Sequence, residues 1–221
     1  ENEKQVKIIR NSIYAKHGYI FKSSELKNIF IKFAWYKEKT KNVKNLLTIN
    51  DKHNLEDIQY YECKLKFNKI INYQSSQYNS FKLTLKEKKL IGIWQNFPFM
   101  AAGWSNTYTI YPNNKFVLRT NQMDCTRRLI LKIGNWKLVN NELQVRYTNK
   151  QEIIGGEIIN EPPCGKKIFN GNILLNDINP YEILNYKIEF LGNDTNNNNK
   201  PHIKLNNEDY WLMKKDPDEY N

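Results

Sequence analysis

Six side chains in this sequence have the chemistry of a nucleophile, a general base or a soft metal ligand. They are His17, His53 and His202, and Cys63, Cys125 and Cys164. A locally built zinc or redox centre needs C-x-x-C or H-x-x-x-H spacing, so that its ligands converge from one turn or one helix face. Neither spacing occurs, and no metal or cofactor is expected. No G-x-S-x-G elbow is present to expose a nucleophilic serine. His53 and Cys63 lie ten residues apart, which is not contact spacing on a helix face. The acidic residues of the second half occur singly, so a glycosidase-type carboxylate pair would need tertiary convergence. The sequence alone establishes no reaction.

His17 sits in "IYAKHGYIF" and is the histidine with the most suggestive company. Asn11, Tyr14 and His17 fall on one helix flank, and Trp35 and Tyr36 follow in the next segment. Asn54 can reach across from a further helix. One reading is an open polar pocket for a small group, closed by Trp35 and Tyr36. The other is a set of groups that satisfy one another at a helix end, with His17 bonding free carbonyls. The second is the expectation, because buried polar groups need partners.

These residues need helices to hold them. Residues 4–17 carry Val6, Ile9 and Ile13 on a 3.6-residue stripe, and Gly18 supplies the left-handed stop. Ser23 suits a cap for a second helix, with Glu25 in its first turn and a stripe of Leu26, Ile29, Phe30 and Phe33. A third helix is expected from an Asn50-Asp51 cap to about Phe67, with Leu55, Ile58, Tyr61 and Leu65 inward. Residues 68–89 read as a polar linker.

From Leu90 the pattern becomes short alternating strands between Asn, Gly and Pro turns. "TYTIYPNNKFVLRT" and "NWKLVNNELQVRYT" read as hairpins turning at Asn113-Asn114 and Asn140-Asn141. "QEIIGGEII" suggests another hairpin at Gly155-Gly156, and "NDTNNNNKP" an unstructured loop. Eight to ten such strands predict an up-and-down antiparallel barrel or sandwich. The fold class is α+β: a helical domain over 1–67, a linker over 68–89, a barrel over 90–215 and an acidic tail over 216–221.

The formal net charge is +11, and it is uneven. Residues 1–90 hold 19 Lys and Arg against 9 Asp and Glu, whereas residues 91–221 hold 15 against 14. A basic first half favours anionic polymers or surfaces. The lysines are dispersed through an Asn- and Ile-rich chain, so compositional drift accounts for much of the charge, and nucleic acid is not expected as a partner. No apolar run of bilayer-spanning length and no signal peptide is visible. Cys125 and Cys164 could pair in an oxidising compartment, leaving Cys63 as a thiol.

"RNSIYAKHGYIF", followed by "WYK" and Asn54, resembles the YARHG domain, a small helical module of exported bacterial proteins and lipoproteins. The matching residues are Asn11, Tyr14, Ala15, His17, Gly18, Phe21, Phe30, Trp35, Tyr36 and Asn54, with Lys16 where the signature has Arg. Gly92-x-Trp94 in "IGIWQN" is similar to the G-x-W opening of lipocalin-like barrels, whose Trp plugs the closed end and stacks on a late basic residue, here Lys214 or Lys215. The resemblances imply an extracellular or periplasmic, envelope-associated protein, with peripheral membrane attachment if the full chain carries a lipid anchor. In a barrel of this type the segment after the first strand lies at the open mouth. Phe97, Phe99, Met100 and Trp104, with Tyr108, are therefore candidates to bind an apolar small molecule or a protein. The expected function is non-enzymatic binding of an apolar ligand, a protein partner or an anionic envelope polymer. The alternatives are an envelope glycan or peptide hydrolase, marked by two carboxylates in a cleft or a Cys–His contact, and a structural adaptor.

Overall fold

A computed structural model describes residues 3–98, 105–121, 123–161 and 165–220. The chain divides into two compact units, Glu1–Phe67 and Asn68–Asn221.

The first unit is built on α1 (Glu3–Lys16), α2 (Ser24–Phe30) and most of α3 (Ile49–Ile71). α1 stops where Gly18 takes φ +77°. A Cβ at Gly18 would lie 2.8 Å from the Lys37 carbonyl oxygen, so glycine is needed for close approach as well as for its dihedral. The approach is functional in the fold: the Gly18 carbonyl accepts from the Lys39 and Thr40 amides, and Tyr19 bridges Thr40 in parallel. Ser23 caps α2, its side chain accepting from the Leu26 amide. A small core of Ala15, Phe21, Leu26, Phe30 and Tyr36 closes this unit.

The stripes differ from the simple periodic reading. α1 buries Val6, Asn11 and Ala15, while Ile9 is exposed. α2 ends at Phe30, so Phe33 leaves the stripe and is exposed. α3 starts one residue after Thr48, not at Asn50-Asp51, and runs four residues past Phe67. Its buried face is Asp51, Leu55, Cys63, Phe67 and Ile71, and Tyr61 is exposed.

The second unit is a closed eight-stranded barrel. Its strands are β1 (Gly92–Gln95), β2 (Thr107–Ile110), β3 (Lys115–Arg119), β4 (Leu129–Val139), β5 (Glu142–Ile154), β8 (Asn172–Asp194), β9 (Lys200–Leu205) and β10 (Glu208–Lys214). A separate hairpin, β6 (Glu157–Glu161) with β7 (Gly165–Phe169), is inserted between β5 and β8. Each strand pairs antiparallel with its neighbour in sequence order, and β10 closes on β1, which makes the barrel up-and-down.

The inward register follows the alternation. Tyr108 faces Leu118 and Ile110 faces Phe116 across β2 and β3, and all four join the interior core. Asn140 and Asn141 both take positive φ and make the two-residue turn between β4 and β5. At the other predicted turn only Asn114 is left-handed, and the hairpin closes one step wider, Tyr111 donating to the Lys115 carbonyl.

Three expectations change. Gly155 and Gly156 are left-handed but do not fold β5 onto β6; β5 keeps β8 as its partner to Ile154. "NDTNNNNKP" is an ordered β8–β9 connection: Asp194 caps a 3-10 turn over Thr195–Asn197, and Asn198 and Asn199 supply the left-handed steps. Residues 68–89 are counted within the second unit. They hold the end of α3, a 3-10 turn (Ser75–Ser80) and α4 (Leu85–Leu90), with Tyr78 and Leu83 packed on the barrel core. The acidic end is tied down by Lys214–Glu219 at 2.7 Å and by Ser75 donating to Asp218.

Candidate functional site

The polar centre of the helical unit is Asp51. Thr48 stands just before α3 and its hydroxyl accepts from the Asp51 amide, while the Thr48 amide and hydroxyl both donate to Asp51 Oδ2. This is a reciprocal capping arrangement with Asp in the third helical position. His17 Nε2 donates to the same oxygen at 2.8 Å, and Lys16 Nζ reaches Oδ1 at 3.3 Å. Burial opposes ionisation of Asp51, but the hydrogen bonds from Thr48, His17 and Lys16 outweigh it and hold the carboxyl well below the usual range. The node thus joins the end of α1 to the start of α3. Lys16 touches one oxygen only; an Arg there has the planar fork to span more of the site.

The other predicted members lie around this node with separate partners. Asn11 is buried and donates back to the Lys7 carbonyl. Tyr14 is half-buried beside the Arg10–Glu62 pair; burial raises its hydroxyl pKa, against the pull of Arg10. Tyr36 is buried and donates to the Tyr19 carbonyl at 2.7 Å. Asn54 is exposed, and the group that ties α3 to His17 is Asp51. The Thr48-x-x-Asp51 spacing was the signal that identifies it. Trp35, expected to help close the pocket, is 53% exposed.

Trp35 belongs to a surface instead. Ile31, Phe33 and Trp35 are exposed in succession, with Lys32, Lys37, Lys39 and Lys41 exposed between and after them. Phe33 and Trp35 lie 5.6 Å apart, and the fully buried Phe30 supports Trp35 from 6.3 Å. The single acidic residue of this stretch, Glu38, is held by Lys27 at 3.2 Å.

In the barrel, Tyr108 turns inward. It packs on Tyr210 at 5.0 Å, Phe116 at 5.3 Å and Tyr186 at 5.9 Å. The Tyr147 and Tyr186 hydroxyls meet at 3.3 Å, Tyr210 donates to Glu208, and Lys132 pairs with Glu182 beside the Tyr147 ring. Burial pushes the Tyr108, Tyr147 and Tyr210 hydroxyls far above the ordinary tyrosine value. Trp94 is buried and donates to the Leu90 carbonyl; Lys214 is engaged by Glu219. Phe97 is exposed. Phe99, Met100 and Trp104 lie outside the described residues, as does Cys164. Cys125 is in a disulfide, and Cys63 is a buried thiol on α3. His53 and Cys63 share α3, ten residues and about 15 Å apart along its axis, which rules out a contact within that helix. Among the described residues no group of three or more His, Cys, Asp or Glu is placed to hold a metal ion, and no helix is long and apolar enough to cross a membrane.

No curated protein and no solved structure matches the chain. The family model described as YARHG domain matches residues 1–63, the stretch that carries α1, α2, the His17–Asp51 node and the exposed aromatic and lysine surface.

Proposed function

We propose that this is a non-enzymatic exported protein of the cell envelope, and that its helical unit binds an anionic envelope polymer. The observation that carries the reading is the exposed stretch Ile31–Lys41, where three large apolar side chains alternate with and precede four lysines. Phe33 and Trp35 offer flat faces to the apolar side of a sugar ring, and the lysines suit its phosphate or carboxylate groups. The YARHG match supports a setting outside the cytoplasm. The disulfide at Cys125 fits the same oxidising setting.

Within the same node, His17 and Asp51 satisfy one another, which favours a structural role for the histidine over a catalytic one. Tyr108 is committed to the barrel core, which weakens the case for an apolar ligand at that residue.

The test is titration of the full chain with a glycerol-phosphate polymer, a neutral glucan of similar length and anionic lipid vesicles. The polymer should bind, more weakly as salt rises. The triple variant Lys32→Glu, Lys37→Glu, Lys39→Glu should lose at least about tenfold in affinity, and Trp35→Ala severalfold. Equal binding of the neutral glucan, or tighter binding of the vesicles, defeats the proposal.

A further inference from the structure

A concavity lies wholly within the barrel unit, at the end where α4 leads into β1. Its volume is about 380 Å³. That is at the small end of the range for small-molecule sites, about 300–1,000 Å³. Its apolar wall includes Trp94 from β1, Phe190 from β8 and Leu212 from β10. Lys88 and Lys89 of α4 and Lys215, just after β10, stand around it, and among the described residues no acidic residue lines it.

Among the described residues Lys88, Lys89 and Lys215 have no ion-pair partner, and the nearby carboxylates along the chain are engaged. Glu87 beside them is taken by the α4 cap, accepting from the Thr84 amide and hydroxyl. Glu219 is taken by Lys214. Lys89 Nζ sits 5.8 Å from the Phe190 ring centroid, which places an ammonium directly over the apolar wall. His202 forms a fixed wall, stacked on Trp211 at 4.6 Å and bonded to Asp209.

We infer that this concavity binds a small amphiphilic anion, with a carboxylate or phosphate head among Lys88, Lys89 and Lys215 and an apolar body against Phe190, Leu212 and Trp94. A neutral molecule of the same shape offers no counter-charge to the three lysines that line the concavity, so the head group decides affinity.

The experiment is calorimetric titration of the full chain with decanoate, decyl phosphate and decanol. At least one anion should bind saturably, and decanol at least about tenfold more weakly. The preference between the two anions identifies a carboxylate or a phosphate source. Lys89→Glu combined with Lys215→Glu should reduce anion affinity by at least about tenfold, and Phe190→Ala, at a partly exposed position, severalfold. Lys137→Glu, on an exposed position of β4, should change nothing. Trp35→Ala, which tests the polymer surface, should also leave this binding intact, so the two proposals fail separately. Equal affinity for decanol, unchanged affinity in folded Lys89→Glu/Lys215→Glu protein, or no saturable binding of either anion overturns the inference.

Discussion

Replacing Asp51 tests whether the His17 node is a structural tie or an open polar site. Asp51→Ala removes the acceptor for the Thr48 amide and hydroxyl and for His17 Nε2. Loss of one side of the capping arrangement costs about 1 kcal/mol. Loss of a charge-assisted hydrogen bond to a buried carboxylate costs about 1.5–3 kcal/mol. Lys16 is largely exposed, and its ion pair adds at most a few tenths, about 0.3 kcal/mol. The helical unit should therefore lose about 3 kcal/mol in Asp51→Ala. Asp51→Asn keeps the shape but not the charge, and should lose about half as much. His17→Ala in the Asp51→Asn background should cost less than in the parent, with a coupling of about 1 kcal/mol.

The chain has two units, so one optical melting curve would mix two transitions. Hydrogen exchange resolved to α1 and α3 in the full chain reads the opening free energy of the right region. The pH dependence gives a second readout. The folded Asp51 carboxyl is held below its unfolded value of about 3.9. Between the two values the unfolded chain binds more protons, so the contribution is complete above about pH 4 to 5 and is lost on acidification through the folded pKa. Asp51→Asn should remove this acid sensitivity from α1 and α3. A change below about 0.5 kcal/mol in Asp51→Ala, or strict additivity with His17→Ala, would refute the structural account and leave His17 available for a ligand.

Gly18→Ala should destabilise the helical unit by at least about 2 kcal/mol, since it combines a left-handed backbone with a 2.8 Å clash on the Lys37 carbonyl; exchange at the Lys39 and Thr40 amides reports it. Tyr108, Tyr147 and Tyr210 should stay protonated in alkaline titration until the barrel opens. Their folded pKa values are raised, so their contribution is whole below about pH 10 and declines above it, which tyrosinate absorbance followed against barrel unfolding can check. Peptide mapping without reductant should recover Cys125 linked to Cys164, and Cys63 should alkylate only after denaturation; a Cys63 mixed disulfide in the native protein would contradict this.

Much of the architecture was legible because it rests on local rules. Gly18 had to end α1, since no other residue tolerates both its dihedral and its neighbour. Asn140-Asn141 turns and the Tyr108, Ile110, Phe116, Leu118 alternation follow from pleat geometry, and they lead to the meander. Closure of β10 on β1 joins residues more than a hundred positions apart, and no local pattern encodes it. The inserted β6–β7 hairpin misled for a related reason. A Gly-Gly step signals a turn but not which strand the chain will pair with afterwards, and β5 stayed with β8. The polar node was half legible. His17 stood out by rarity, but its partner is the capping Asp51 rather than Asn54, because Thr48 and Asp51 already bring the carboxylate to the start of α3.

Both units commit several of their polar side chains to internal bonds. In the barrel unit the Tyr147 and Tyr186 hydroxyls bond to each other, Tyr210 donates to Glu208, and Lys132 pairs with Glu182. The buried members, Tyr147 and Tyr210, would be costly to leave without their partners. In the helical unit the same holds for His17, Asp51, Asn11 and Tyr36, each with a short internal hydrogen bond. Two outward-facing sets are of another kind: the apolar residues and lysines of Ile31–Lys41, and the lysines beside Phe190. Aromatic faces beside ammonium groups recognise negative charge attached to apolar surface. Such faces suit anions, an extended one along Ile31–Lys41 and a small one beside Phe190.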